Sequence, residues 1–548
     1  YNTALGNICL LSNTSGDFNT AVGSHALDAN SAGDGITAIG YLALSANTAS
    51  YNTAVGSYSM QASTSGSSNV ALGTFTLYNN TTGNNNTAVG YNSLLKNTTG
   101  AGNTALGKDA LQENTTANNC TGIGLDCLHN NTTGTENTAV GANALDANNT
   151  GNSNSAFGFV ALTTNTTGIQ NNAFGREALQ VNSTGSYNNA FGMRCLESNT
   201  TANFNSAFGH EALKANSTGD SNVAMGTYAL YSNTTANGNT SVGHSSMFDN
   251  TTGTANAALG TLSLADNTTG NYNVAIGYDA LRFNTTASNN NAVGFQALIL
   301  NTTGSHNGAV GYHSLYNNTT GAQNNGLGRR ALEANTTGGN NVGVGDLAGY
   351  TNTTGSNNTY IGVEAGSYST GVTTGTRNTF VGNHTISAGN NANDQNVFGN
   401  NLTGIAASFV FGSGAADTTC SNGGTSWSAP SDERMKEDIV TATAGLSFIN
   451  DLRPVNFKWK KEKDIPSTLK GYIKDSDKRY ITDTTQHGFI AQEVKTAIDA
   501  HPELKDGFDM WKEDVGDGKQ RVGEASLIPI LVKAIQELST EVEALKAA

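Results

Sequence analysis

Proline is missing from the first 429 residues. All five prolines (Pro430, Pro454, Pro466, Pro502 and Pro529) lie at or beyond position 430 of a 548-residue chain. Proline has no backbone N–H, so its absence over such a stretch suits a segment where nearly every N–H is paired in a ladder. Charge is also scarce, with 27 Lys and Arg against 42 Asp and Glu. Residues 431–548 hold 18 of the basic and 22 of the acidic residues, so the net charge of −15 divides into −11 before that point and −4 after it. Both parts are acidic and neither carries an extended run of Lys and Arg, which argues against nucleic acid and anionic membranes as partners. No apolar stretch approaches the roughly 18 to 20 residues of a membrane span, so no membrane insertion is expected. Cysteine is rare and odd in number, five in all, with no C-x-x-C pair. Cys9, Cys127 and Cys195 share one position of a repeat where other copies carry Ala, Ser or Thr, and they read as small buried thiols. No disulfide framework, metal site or cofactor follows from them.

What is abundant is Asn, Thr and Gly, arranged with a period of 17. Aligned on the glycine of N-T-A-V-G, the repeats place Gly6, Gly23 and Gly40. After one 16-residue step they continue through Gly56, Gly73 and Gly90 to Gly362, making 22 units. The residue before this glycine is apolar, as in Val22, Ile39, Phe157 and Met225. The residue three after it is small, and the residue four after it is Leu or Met in all but the last two units. Asn, Thr and Gly at this density oppose helix and favour turns. Two short strands with two tight bends fit the length, which makes the chain mainly β, a stacked parallel β-solenoid. At about 4.8 Å per coil such a stack forms a rod on the order of 100 Å long.

The strand carries Ala on one side and Val, Leu or Phe on the other, as in Ala21-Val22 and Ala156-Phe157. A strand apolar on both faces is buried on both. A single thin coil has only one inside, so further copies of the same chain are expected on the other face. The second half of each unit reads N-T-T-G, as in Asn97-Thr98-Thr99-Gly100, where stacking would line the Asn side chains into amide ladders and place the glycine at φ > 0. The N-x-T triplets follow from the repeat as much as from glycosylation. A water-ordering row of Thr is a further alternative, and the calcium-binding G-G-x-G-x-D repeat is absent.

These repeats, over residues 1–366, resemble the heads of trimeric autotransporter adhesins, whose N-x-x-A-x-G units form a trimeric β-roll. Residues 367–430, where the period loosens, read as an irregular neck and linker.

From Ser431 the composition becomes that of an ordinary α+β domain, which ends at residues 527–546 in a coiled-coil helix. Ile528, Leu531, Ile535, Leu538, Val542 and Leu545 form its heptad seam. Ile or Val at a with Leu at d favours dimers in isolated coils. Four segments lie in order: Ser431-Asp432-Glu433-Arg434-Met435-Lys436, Leu452-Arg453-Pro454-Val455-Asn456-Phe457-Lys458-Trp459, Gly488-Phe489-Ile490-Ala491-Gln492-Glu493-Val494, and Ala534-Ile535-Gln536-Glu537-Leu538. Together they resemble the endosialidase-type intramolecular chaperone domain that ends many bacteriophage tail fibres and spikes.

The resemblance implies a homotrimer and a single self-cleavage, not a turnover enzyme. Ser431 would be the nucleophile, Lys436 the base, and Pro430-Ser431 the scissile bond. A serine hydroxyl is a poor nucleophile until a base takes its proton, and a lysine serves when burial lowers its pKa. Asp432 and Arg434 either orient this dyad or form a surface ion pair, and His487 is a rival base. The resemblance further implies an extracellular virion tail fibre assembled in the host cytoplasm. Its expected partners are an upstream virion attachment protein and a host-surface glycan or protein receptor. A bacterial trimeric surface adhesin and a glycan-depolymerase fibre are the alternatives. The second needs a fixed carboxylate pair, which scattered acids such as Asp28, Glu113, Glu177 and Glu211 do not supply.

Overall fold

A computed structural model describes the chain except residues 368–370, 415, 426, 430, 505–507 and 515–517. It divides into two units, Tyr1–Pro430 and Ser431–Ala548.

The first unit is a parallel β-solenoid. Three-residue strands recur once per coil from Thr3–Leu5 to Thr359–Ile361. Each pairs in parallel with the next in register, as Ala156 with Ala173 and Phe157 with Phe174. The single 16-residue step leaves this register intact, with Thr37 opposite Thr53. The missing residue comes out of the corner between Asn47 and Asn52, where Asn47 donates to the Ala49 carbonyl at 2.7 Å. Elsewhere the same amide reaches one residue further, as Asn97 does to Gly100 at 3.0 Å. The stack also continues past Gly362. Thr379–Val381, Asn396–Asn400 and Ser408–Ser413 add parallel strands, so the parallel ladder runs on into the stretch expected to be an irregular neck, with steps of 20, 17 and 13 residues in place of a constant 17. Ala416–Ser421 then turns back antiparallel on Ser408–Ser413 and covers the last open strand edge.

Each coil has one strand among the described residues, where two were expected. The other side is built from turns in which non-glycine residues take left-handed φ, as in Asp126 (51°), Leu128 (51°) and Glu136 (60°). Such residues still join the ladder: Leu128 N–H donates to Ala144 O at 3.0 Å, and Glu136 N–H donates to Asn118 O at 3.0 Å. A left-handed leucine costs about 1–2 kcal/mol. Burying its side chain returns about 1.5–3 kcal/mol, so the conformation is held by the core.

That core is a column of Ala, Leu and Asn. Ala190, Cys195, Leu196, Asn199 and Asn205 are all fully buried in one such layer. From Asn97 to Asn352 every coil donates its Asn Nδ2 to the Asn Oδ1 of the preceding coil, at 2.7–3.2 Å. A second amide column runs parallel to it: the backbone N–H of Asn205 donates to Asn188 Oδ1 at 3.0 Å, and Asn205 Nδ2 donates to Gly219 O at 2.9 Å. Burying an amide is costly unless it is bonded, and here the neighbouring coils supply the partners. The same burial removes the N-T-T amides from any glycosylation of the folded rod.

The glycine of N-T-T-G is needed for a different reason from the one expected. Gly100 is not at positive φ. A Cβ there would stand 2.4 Å from Asn97 Oδ1 and 2.4 Å from the Ala117 carbonyl oxygen, so the position is demanded by space. Burial pushes the Cys127 and Cys195 thiols up to about 12, and both are free.

The second unit has helices α1 (Leu446–Asp451), α2 (Ala491–Ala500) and α3 (Ile528–Ala547), with hairpins Val455–Phe457/Gln486–Gly488 and Trp511–Glu513/Gln520–Val522. Its core gathers Ala444, Phe448, Val494, Ala497, Ile498, Met510, Leu527 and Ile530. α3 turns Ile530 and Ala534 inward. Its heptad residues form a different stripe, and Ile528, Ile535 and Leu545 are 61%, 65% and 77% exposed.

Candidate functional site

Ser431 opens the second unit, and the backbone after it folds into a single tight turn. Glu433–Met435 forms one turn of 3₁₀ helix. Asp432 lies just before it in an extended conformation (φ −69°, ψ 130°) and accepts a hydrogen bond from the Arg434 backbone N–H at 2.9 Å. The chain leaves the turn at Lys436, whose N–H donates to Glu433 O at 3.0 Å. Lys436 Nζ is thereby brought to 2.7 Å from Ser431 Oγ and donates to it. Two groups five residues apart meet because the turn reverses the chain between them.

Asp432 and Arg434 form an ion pair, with Nη2 2.5 Å from Oδ2 and Nε 3.0 Å from Oδ1. The guanidinium and the Arg434 N–H hold the Asp432 carboxyl below its ordinary range. His487 lies on the hairpin strand Gln486–Gly488, and its Nδ1 is 2.5 Å from Asn456 Oδ1. Among the described residues no hydrogen bond joins His487 to Ser431 or Lys436. Pro430, on the other side of the expected scissile bond, lies outside the described residues. Ser431 and Lys436 are both exposed in the single chain.

Three contacts tie the remaining motifs together. Arg453, from the L-R-P-V segment, pairs with Glu493 of the F-I-A-Q-E segment, with Nε 3.0 Å from Oε2. Glu537 Oε2 accepts the Leu446 N–H at 2.8 Å and so caps α1. That hydrogen bond, with Lys533 beside it, holds the Glu537 carboxyl below its usual range. A Cβ at Gly445 would fall 2.4 Å from Glu537 Oε2, so a larger residue there would have to displace the capping carboxylate. His501, 8% exposed, sits between Asp451 (Nε2–Oδ2 2.8 Å) and Glu503 (Nδ1–Oε1 3.1 Å). Sequence reading missed His501. Its partner Asp451 is 50 positions away, and no local spacing marks the pair.

An apolar groove of about 330 Å³ lies beside α3, lined by Ile449, Leu452, Pro454, Phe489, Leu527 and Leu531. On the solenoid, the residues before the strand glycines form an outward stripe. Leu72, Phe208, Leu259 and Leu327 are 38%, 38%, 51% and 52% exposed. Phe157, Phe174, Phe191 and Phe208 stack along it with ring centroids 4.6, 4.7 and 4.9 Å apart.

The solenoid acids are engaged elsewhere. Asp28 pairs with His25, Glu113 with Lys96, Glu177 with Arg176 and Arg194, and Glu211 with Lys214 and Arg194. Among the described residues, no group of three or more His, Cys, Asp and Glu side chains could hold a metal ion, and no helix is long and apolar enough to cross a membrane.

Residues 431–502 match the family model described as chaperone of endosialidase. The match begins at Ser431, where the second unit begins. No curated protein matches the chain, and no solved structure matches it. The chain therefore combines a parallel β-solenoid of 17-residue coils with a C-terminal unit whose first 72 residues match the chaperone of endosialidase.

Proposed function

We propose that this chain is the shaft and assembly end of a homotrimeric bacteriophage tail fibre, and that its C-terminal domain cuts the chain once, between Pro430 and Ser431. The fibre is assembled in the host cytoplasm and carried outside on the virion. It joins an upstream attachment protein and contacts a glycan or protein on the host surface. The observation that carries the cleavage reading is the 2.7 Å hydrogen bond between Lys436 Nζ and Ser431 Oγ at the first residue of the matched domain.

The reaction is an acyl shift followed by hydrolysis. Lys436 takes the hydroxyl proton as Ser431 Oγ bonds to the Pro430 carbonyl carbon. The Pro430–Ser431 amide then breaks as Lys436 returns the proton to the departing Ser431 nitrogen. Water hydrolyses the resulting ester, leaving a Pro430 carboxylate and restoring the serine hydroxyl. A lysine acts as a base when water is kept from it, and Lys436 is exposed in the single chain. Assembly supplies the missing burial, so cutting waits for the trimer.

Two unpartnered surfaces support assembly: the outward apolar stripe of the solenoid and the heptad seam of α3. The heptad residues alone favour two chains. The chaperone family favours three, and three is the number adopted. Sedimentation of the full chain at micromolar concentration tests this. A trimer is expected. A monomer would contradict the interface, and a dimer would return the decision to the heptad rule.

A further inference from the structure

We infer that Asp432 is a positioning residue for the cut, acting through the turn that carries Lys436 to Ser431 and not through its charge; the inference rests on the self-cleavage reading above. The Lys436–Ser431 contact depends on the chain reversing within five residues. That reversal is one turn of 3₁₀ helix, Glu433–Met435, far too short to persist by itself in water. The groups that close it are few. Met435 N–H donates to Asp432 O at 3.0 Å and Lys436 N–H to Glu433 O at 3.0 Å. To these backbone bonds the side chain of Asp432 adds a cap: its Oδ1 accepts the Arg434 N–H at 2.9 Å and satisfies an otherwise free donor of the first turn.

The ion pair to the Arg434 side chain is the weaker part. Arg434 is 88% exposed and Asp432 39%, and ion pairs so open to water contribute little. The cap needs only a short side chain with an acceptor oxygen, a requirement that Asn and Ser also meet.

The test is a rate series for self-cleavage in the full chain, comparing Asp432→Asn, Asp432→Ser, Asp432→Ala and Arg434→Ala with the parent across a range of pH. Trimer content is measured alongside. The expected pattern is that Asn and Ser cut within about threefold of the parent, Arg434→Ala likewise, and Ala at least about tenfold slower. The pH profile should keep the same midpoint throughout, because no titrating group of the reaction has been removed. Slow cutting by both Asn and Ser, or a displaced midpoint in either, would overturn the inference and assign the carboxylate a direct part in the chemistry. Parent-rate cutting by Ala would overturn it as well, since the turn would then form without the cap. Should Asp432→Ala fail to trimerise, the Asn and Ser variants still decide the matter. Ser431→Ala in the same series separates the two levels: if it is cut, the dyad reading fails, whatever the cap does.

Discussion

Within residues 1–430 a buried amide finds its partner one coil away, as Asn199 does with Asn182 and Asn216, each 17 residues distant. Within residues 431–548 the Glu537 carboxylate caps a helix 91 positions upstream, and His501 reaches Asp451 across 50. The solenoid solves one packing problem and repeats the answer. Its neighbour supplies each coil's partners, so order propagates along the stack. The C-terminal unit has no repeat to copy, and its small core must bring together segments far apart in sequence before any of them is stable. This difference predicts a rod that is robust once formed and a C-terminal unit that is less strongly held.

The comparison breaks first in the amide ladder. Asn199→Leu keeps the branched shape of the side chain while leaving Asn182 Oδ1 without its donor and Asn216 Nδ2 without one of its acceptors; the Ala202 carbonyl keeps the Asn188 amide. At about 1–3 kcal/mol for an orphaned buried group, the loss should be about 1–3 kcal/mol. It should appear as a lower urea midpoint and as faster hydrogen exchange in the flanking coils. A loss below about 1 kcal/mol would mean that the backbone ladder, and not the amides, holds the coils together.

A smaller effect distinguishes the other region. His501 lies between Asp451 and Glu503, and their hydrogen bonds raise its pKa above the ordinary 6.5. A group whose folded pKa is raised stabilises fully below its unfolded value, and that stability is lost as pH rises through the folded value. The C-terminal unit should therefore melt at a lower temperature above neutrality than near pH 6, and His501→Gln should flatten this dependence. A solenoid transition that moved by the same amount over the same interval would contradict the assignment to His501.

The solenoid was legible in the sequence because its signal is a period. The strand positions, the buried Ala and Leu columns and the Asn ladders all follow from aligning one glycine. The backbone of the turn side was not legible. Left-handed leucines violate local preference, and only the stacked core keeps Leu128 or Leu196 there. The N-T-T-G glycine was misread for a related reason: a close approach by the next coil leaves the same mark in the sequence as a positive φ. In the C-terminal unit the Ser431–Lys436 spacing was visible because the groups lie within one turn. The Arg453–Glu493, Glu537–Leu446 and His501–Asp451 contacts were not, since nothing local connects residues 40 to 91 positions apart.

The central claim is that Ser431 and Lys436 cut the chain and that assembly licenses the cut. A denaturing gel beside a native gel, run for the parent, Ser431→Ala, Lys436→Ala and Leu538→Asp, tests it most directly. The account predicts a cut trimer for the parent and an uncut trimer for Ser431→Ala. Lys436→Ala should give a trimer that is uncut or cut at least about tenfold more slowly. Leu538→Asp places a charge in the exposed seam of α3 and should give chains neither assembled nor cut. Cleavage of Ser431→Ala at the parent rate would contradict the account, leaving His487 or an outside protease as the agent of the cut.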